Sequence, residues 1–492
     1  MPLRGGKIGL AEGSISTATK GISQVQLSHT LGSTSVVFDE PNLVSSAGLV
    51  PLLALAEGAG LRSLVDEHLT VPTDRGANAG LKVASLVAGM IAGADSIDDM
   101  AVLRHGGMGR LFARPYAPST LGSFLRAFAF GHVRQLDAVA SRFLAGLAGR
   151  TSVGIGLDEL AVVDVDDTVI EVHGYAKQGA GFGYTGVRGL NALIATVSTE
   201  QAAPVIVAQR LRKGSANSAR GAHRLVTDAL RTVRRIGSRA GGPNRVLLRA
   251  DSAFYAHTVI AAAAKSGAEV SVTVRLDAKV KAAIAAIAND AWTMIEYPDA
   301  VYDEQTQTWI SRAEVAETPF VAFTGQPTGK QVKGRLVVRR IPDLNRKADH
   351  GQATLFDTWR FHALFTTTDA GVADTVAADK THRGHAVIEQ VHADLKNSAL
   401  AHLPSGRFAA NSAWLVLAVM AFNLTRAAAT MTGRALARAT TATIRRTLIG
   451  VPARVARSAR KLTLHLPTAW PWQTPWANLI TRVCGPPTPG VS

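Results

Sequence analysis

The spacing of the apolar residues changes near residue 160, and this change limits the folds open to the chain more than any other feature. From about 46 to 150, apolar residues recur every three or four positions behind Ser and Thr caps, as in "PSTLGSFLRAFAFGHVRQLDAVASRFLAGLAG", which predicts helices. Three β-like runs follow, "LAVVDVDDTVIEV", "GLNALIATVST" and "APVIVAQRL", and then helix and strand alternate up to "AEVSVTVRL". This order predicts a mixed sheet covered by helices, an α/β fold.

The rest of the sequence divides into further segments. Alternating stretches such as "VKGRLVVRRI" predict a β-rich insertion, helical spacing returns at "THRGHAVIEQVHADLKN", and the C-terminal region is rich in arginine. The predicted segments are an N-terminal arm at 1–45, an all-helical domain at 46–150, the first part of the core at 155–276, the β-rich insertion at 277–378, the last part of the core at 379–430 and a basic C-terminal region at 431–492.

Charge and composition exclude several classes of protein. The 492 residues carry a formal charge of +16, which favours a polyanionic partner such as nucleic acid. The most apolar run, "AWLVLAVMAF", is shorter than the roughly 20 residues of a membrane span, so it predicts a core helix and no membrane association. The single cysteine, Cys484, excludes internal disulfides and thiolate metal clusters. Because the N-terminus lacks a secretory signal, we expect a cytoplasmic protein.

Three aspartates interrupt the first predicted strand. Because side chains alternate along a strand, Asp164 and Asp166 share one face, and Asp167 lies on the other. A buried carboxylate is costly unless a cation or a set of hydrogen-bond donors compensates its charge. The aspartates therefore predict either a metal site or a hydrogen-bond network.

Two further acids lie where a metal ligand would fit. Asp251 follows the apolar strand "RVLLRA", and ligands of α/β proteins gather at the carboxyl ends of strands, although aspartate is also a favoured helix N-cap. Glu389 lies on a predicted helix with a polar stripe, which indicates either a solvated charged face or, since two of its histidines are three residues apart, an imidazole metal site, although the HExxH pattern of zinc hydrolases is absent. The other members of this stripe are His382, His385, His392 and Lys396.

Six stretches spread over most of the chain form one pattern: "AGADSIDDMAVLRHGGM", "APSTLGSFLRAF", "VDVDDT", "YAKQGAGFGYTGVRGLNAL", "RADSAFY" and "IEQVHADLKNSALAHLPSG". With these stretches the chain resembles the RNase H-like DDE transposases of bacterial insertion sequences, specifically the IS4-like group and most closely its IS1380 family. The resemblance implies an RNase H-like core, a helical domain that binds DNA ends, and a catalytic triad of Asp166, Asp251 and Glu389.

The resemblance also implies the chemistry and the partners. The triad would hold two Mg²⁺ or Mn²⁺ ions for cleavage and transfer of DNA strands. The partners would be the terminal inverted repeats, the target DNA and a second copy of the chain.

Residues around the triad follow from the same resemblance. Thr168 favours Asp166 as the first acid, with Asp164 and Asp167 as supporting or alternative residues. At two positions where the group has a Tyr and an Arg, this sequence has histidines, whereas the following lysine is kept. The residues expected to contact DNA are these three and two from the glycine-rich segment: His382, His385, Lys396, Lys177 and Arg188.

Two other functions stay open. "VVDVDDTVI" also fits the DxDx[TV] motif of haloacid-dehalogenase-like phosphatases, in which Asp164 would be the nucleophile and Asp166 the general acid. A catalytically inactive, transposase-derived DNA-binding protein would keep the positive charge, and the histidines at 382 and 385 keep this alternative open.

Overall fold

The computed structural model describes residues 33–113, 115–174, 176–238, 242–303, 308–342, 359–458 and 461–485. By its internal contacts the chain divides into two compact units, Met1–Pro41 and Asn42–Ser492. Most of the arm predicted at 1–45 lies outside the described residues. The elements below all belong to the second unit.

The second unit begins with a two-residue strand, β1 (Leu43–Val44), and a series of helices. Pro118 starts one of them, where its missing N–H costs no intrahelical hydrogen bond. Gly93 ends another with φ 117°, a left-handed conformation that suits glycine. The helices are α1 (Leu49–Gly58), α2 (Leu61–His68), α3 (Thr73–Gly76), α4 (Ala79–Ala92), α5 (Met108–Leu111), α6 (Pro118–Arg126) and α7 (Phe130–Ala148).

A mixed sheet forms the centre of this unit. Its first strands are β2 (Leu160–Glu171), β3 (Gly181–Phe182), β4 (Arg188–Ser198), β5 (Val205–Lys213), β6 (Arg245–Ala250) and β7 (Glu269–Val274). β2 pairs antiparallel with β4 and parallel with β6, and its Val163 and Val165 are completely buried. Two helices, α8 (Ala222–Gly237) and α9 (His257–Lys265), pack against each other, and α8 also contacts β4 and β5. The predicted α/β fold with a mixed sheet is confirmed.

The β-rich segment continues the same sheet. After α10 (Ala278–Ala285) come β8 (Thr293–Asp303), β9 (Thr308–Ala322), β10 (Val332–Pro342) and β11 (Trp359–Thr366). β11 pairs with β7, and β10, β9 and β8 follow outward, all antiparallel. The chain thus passes from β7 to the far edge of the sheet at β8 and returns strand by strand to β11, beside β7, where the following helices begin.

Three helices lead from β11 back to the core: α11 (Thr375–Arg383), α12 (Val387–Lys396) and α13 (Phe408–Thr430). By length and composition α13 could cross a membrane, but 89% of its apolar window is buried inside the protein, as in a core helix. α13 packs against α7 and β5. Its Asn423 side chain accepts from the backbone N–H of Ile206 (2.9 Å) and donates to the carbonyl of the same residue (2.8 Å), which fixes the helix to β5.

The basic C-terminal region is folded. It contains α14 (Arg434–Ala437), α15 (Thr441–Ile444), β12 (Ala453–Ser458), β13 (Lys461–His465) and α16 (Gln473–Cys484). β12 pairs with β1 and β13, and α16 packs on α1. The Arg445 guanidinium donates from Nε to the carbonyl of Ile91 (3.2 Å). The C-terminal region and the N-terminal helices are therefore one packed structure.

Candidate active site

Asp166 and Asp251 lie side by side at the centre of the sheet. The parallel pairing of β2 with β6 places Val165 opposite Ala250, and the two aspartates follow these residues directly. The Asp166 side chain is 23% exposed, and Asp251 is half-buried. Oδ1 of Asp251 accepts the N–H of Ala253 (2.9 Å), so this aspartate also caps a short helical turn. The two interpretations of Asp251, a residue at a strand's carboxyl end and an N-cap, apply together.

Burial raises the pKa of both carboxyl groups. The pKa of Asp166 rises to about 7, because desolvation and the negative charges of Asp251 and Asp167 outweigh the N–H of Asp167 and the nearby His385. The pKa of Asp251 is raised mainly by burial and also by Asp167. The positive charge near these two carboxyl groups compensates their burial only in part. A divalent cation bound to the pair would offset the remaining negative charge.

Asp164 differs from Asp166, although both lie on the same face of β2. Asp164 is completely buried and accepts two hydrogen bonds from Arg249, Nε to Oδ1 (2.8 Å) and Nη2 to Oδ2 (2.7 Å). His385 donates from Nδ1 to Oδ1 (2.8 Å). Arg249 also donates to the carbonyl groups of Thr381 and Gly384. The ion pair therefore holds the turn between α11 and α12 against the sheet.

Asp167 lies on the opposite face of β2, as the alternation predicts. Its carboxylate pairs with Arg212 (3.0 Å) and accepts from the side-chain amide of Asn191. Nη1 of Arg212 donates to the carbonyl groups of a turn that follows β5, at Asn217, Ser218 and Arg220. The hydrogen-bond network that the sequence left open thus exists around Asp164 and Asp167, whereas Asp166 has few partners.

Glu389 lies apart from the two central aspartates. It is exposed on the first turn of α12, and no hydrogen bond or ion pair joins it to Asp166 or Asp251. Within the part of the chain that the structure describes, no group of three or more His, Cys, Asp or Glu side chains is close enough to hold a metal ion. The structure therefore brings Asp166 and Asp251 together and does not join Glu389 to them in a metal-binding group.

His392 occupies the space beside Asp166. Its Nε2 lies 3.6 Å from Asp166 Oδ2, the side chain is 8% exposed, and both ring nitrogens are buried without a hydrogen-bond partner. Burial, and next the charge of Lys396, lowers the pKa of this imidazole to about 4. The sequence places His392 on the polar stripe, but a histidine on a helix could equally be solvated, so the stripe alone did not reveal this contact.

The residues predicted to contact DNA have different surroundings. Both ring nitrogens of His382 are 2.9 Å from hydroxyl groups of β7, those of Ser271 and Thr273, and burial lowers its pKa to about 3. Lys396 is exposed at the end of α12. Lys177 donates to the carbonyl of Leu403. Arg188 donates to the carbonyl of Gly174.

Tyr184, in the glycine-rich segment between β3 and β4, was not predicted to belong to the site. Partial burial raises the pKa of its hydroxyl group, and the charges of Asp167, Asp166 and Asp251 raise it further. Its phenol ring is largely exposed. An exposed aromatic side chain within the field of the central carboxylates is well placed to meet a substrate, and only the folded hairpin brings it there.

Comparison with known proteins identifies the family. A search of curated proteins found no match to this chain. The family described as "Transposase DDE domain group 1" matches residues 32–485, which include the central sheet, the inserted strands and the C-terminal region. The chain therefore belongs to the DDE transposase family.

Proposed function

We propose that the protein is a metal-dependent DNA transposase of the IS1380 group, with Asp166, Asp251 and Glu389 as its catalytic acids. The observation that carries the proposal is the pair Asp166 and Asp251, two adjacent carboxyl groups with raised pKa at the centre of a mixed sheet. The order of strands β5-β4-β2-β6-β7, with the first two junctions antiparallel and the last two parallel, supports an RNase H-like core.

The donor set suits a hard divalent cation. Carboxylate oxygens are the ligands that Mg²⁺ and Mn²⁺ prefer. The chemistry that two such ions supply is activation of a water or a 3′-hydroxyl and stabilisation of the leaving oxygen. Asp166 and Asp251 would hold the ions from rigid strands. Glu389 would complete the set of metal ligands when its carboxylate approaches the two aspartates. It lies one turn of α12 before His392, which already contacts Asp166.

The neighbouring residues position the acids. Asp164 and Arg249 fix the start of α12 relative to β2, and Asp167 with Arg212 fixes the strand from its other face. On the substrate side, we propose that Lys396, His385, Lys177 and Arg188 contact DNA near the acids. His382 would act indirectly, through its contacts with β7, since both its ring nitrogens are already hydrogen-bonded to hydroxyl groups of that strand.

The remaining parts of the proposal concern partners and place. The protein would bind the terminal inverted repeats of its insertion sequence through the helices at 46–150, cut there, and join the ends to target DNA in the cytoplasm. A homodimer would hold two ends together. The phosphatase alternative requires Asp164 as an accessible nucleophile, whereas Asp164 is completely buried and paired with Arg249.

Strand cleavage tests the proposal. End-labelled duplex carrying the inverted repeats that flank the coding region is incubated with the protein and Mg²⁺, or with EDTA. We expect cuts at the repeat boundary with Mg²⁺ only, and none with Asp166→Asn. Tight binding without cleavage would favour the inactive DNA-binding protein and would contradict the catalytic proposal.

A further inference from the structure

A broad basic groove lies between α7, β5 and α8. It consists of two adjoining cavities of about 350 Å³ and about 630 Å³, which share Arg134, Arg210, Asp228 and Arg231 in their walls. We call this surface the arginine groove. Its walls come from the N-terminal helices and from the central sheet, so it forms only when these parts are packed together.

The floor of the groove holds two acids that are bridged by arginines. Asp137 and Asp228 are bridged by Arg134, at 2.6 Å and 3.0 Å, and by Arg210, at 3.5 Å and 2.5 Å. Gln209 also donates to Asp137 (2.7 Å). Arg231 also pairs with Asp228 (3.3 Å), and burial raises the pKa of Asp137 to about 7. Three arginines thus face two acids, and the floor carries a net positive charge.

The walls carry a surplus of positive charge. Arg142, Lys213, Arg220, Arg224 and Arg235 line the two cavities, and none of them forms an ion pair among the described residues. Lys213, Arg220 and Arg224 are exposed. Burial, and then repulsion by Arg142 and Arg231, lowers the pKa of Arg235. Positive charges that outnumber their counter-ions favour an anionic partner.

The length of the charged surface indicates a polyanion. Arg224, Arg231 and Arg235 are spaced at seven and four residues along α8, so they lie on one stripe of the helix. At 1.5 Å per residue the stripe runs for about 16 Å. Duplex DNA carries one charge per about 1.7 Å of its axis, so several phosphates could contact this stripe at once. A single small anion would neutralise only part of it.

The groove is separate from the central acids. Arg212 lies in its wall and contacts Asp167, whose side chain is on the opposite face of β2 from Asp166. We propose that the arginine groove binds the phosphate backbone of a segment of duplex DNA other than the strand at Asp166 and Asp251. This inference rests on the proposed function, because it takes DNA as the substrate, and it adds a second contact surface to the same reaction.

Salt-dependent binding tests the proposal. The groove variant changes Lys213, Arg220 and Arg224 to alanine, since these exposed side chains make no ion pair. The matched control changes Lys265, Arg275 and Lys281 to alanine, which removes the same charge from exposed positions outside the groove. Binding of a labelled duplex without the inverted repeats is followed by fluorescence anisotropy over a range of KCl concentrations.

Each phosphate contact contributes about 0.9 to the slope of log K against log salt concentration. We expect the groove variant to lower the magnitude of the slope by about 2 to 3, and the control to leave it near the wild-type value. Equal slopes for the two variants would overturn the proposal. A groove variant that loses binding to RNA but keeps its binding to duplex DNA would overturn it as well.

Strand cleavage separates this proposal from the proposed function. If wild-type protein cleaves the repeat ends while the groove variant keeps the wild-type slope, the groove proposal fails and the transposase proposal stands. If wild-type protein does not cleave while the groove variant loses slope, the groove proposal stands as a DNA-binding surface and the catalytic proposal fails.

Discussion

Replacing Asp166 by asparagine should stabilise the metal-free protein at neutral pH, which is unusual for a partly buried polar residue. The pKa of Asp166 is raised from its ordinary 3.8 to about 7. A carboxyl group with a raised pKa in the folded state favours folding while it is protonated, and this contribution is lost as the pH rises from 3.8 through 7. Asparagine is neutral at every pH and keeps an oxygen to accept the N–H of Asp167.

The size of the effect follows from the pKa. At 1.36 kcal/mol per pKa unit, and relative to a side chain that is neutral in both states, Asp166 lowers the unfolding free energy by up to about 4 kcal/mol at pH 8 and by about 1.5 kcal/mol at pH 5, where the unfolded chain already ionises. For a chain of this length, each kcal/mol of unfolding free energy lost lowers the melting temperature by about 1 °C. In EDTA, the melting temperature of Asp166→Asn relative to wild type should therefore rise by about 3 °C between pH 5 and pH 8.

Asp164→Asn is the matched control, because the same change is made two residues away on the same face of β2. Asp164 is fully buried and paired with Arg249, so removal of its charge leaves a buried guanidinium and should cost about 3–5 kcal/mol. Scanning calorimetry at both pH values measures the two variants. The reasoning is refuted if Asp166→Asn is destabilised like Asp164→Asn, or if its difference from wild type does not change with pH.

Three further predictions concern the same region. Arg249→Met should lower the unfolding free energy by about 3–5 kcal/mol, because Asp164 would stay buried without its partner. A change below about 1 kcal/mol, measured by calorimetry at neutral pH, would contradict this. His392→Leu should leave stability unchanged or raise it by about 1–2 kcal/mol, since both ring nitrogens lack partners; a clear loss of melting temperature would argue against this. Mn²⁺ should bind about ten-fold more weakly for each pH unit below 7, because protons compete with the metal for Asp166. Titration followed by electron paramagnetic resonance measures the affinity, and an unchanged affinity from pH 5 to 7 would contradict the prediction.

Much of the fold follows from local sequence patterns. The change of apolar spacing near residue 160 predicted both the helices before it and the strands after it, because helical and extended periods differ. Alternation along β2 correctly separated Asp167 from Asp164 and Asp166. The apolar run in α13 was interpreted as part of a core helix, and the burial of 89% of the helix's apolar window agrees with this.

The partners of the polar residues could not be predicted in this way. Arg249 lies 85 residues from Asp164 along the chain, and Arg134 lies 94 residues from Asp228, so only the folded sheet reveals these pairs. A local pattern also cannot distinguish a solvated histidine from His392, which is buried against Asp166. The position of Glu389 depends on how α12 is attached through Arg249, which no spacing in the sequence encodes.

The central claim is that Asp166, Asp251 and Glu389 act as one metal-dependent site. The most direct test is cleavage of end-labelled inverted-repeat duplex in Mg²⁺ by Glu389→Gln and Asp251→Asn, with Glu171→Gln as control, an exposed acid at the end of β2. The account predicts that both site variants bind the duplex but do not cut it, whereas the control cuts like wild type. Cleavage by Glu389→Gln at the wild-type rate would contradict the account.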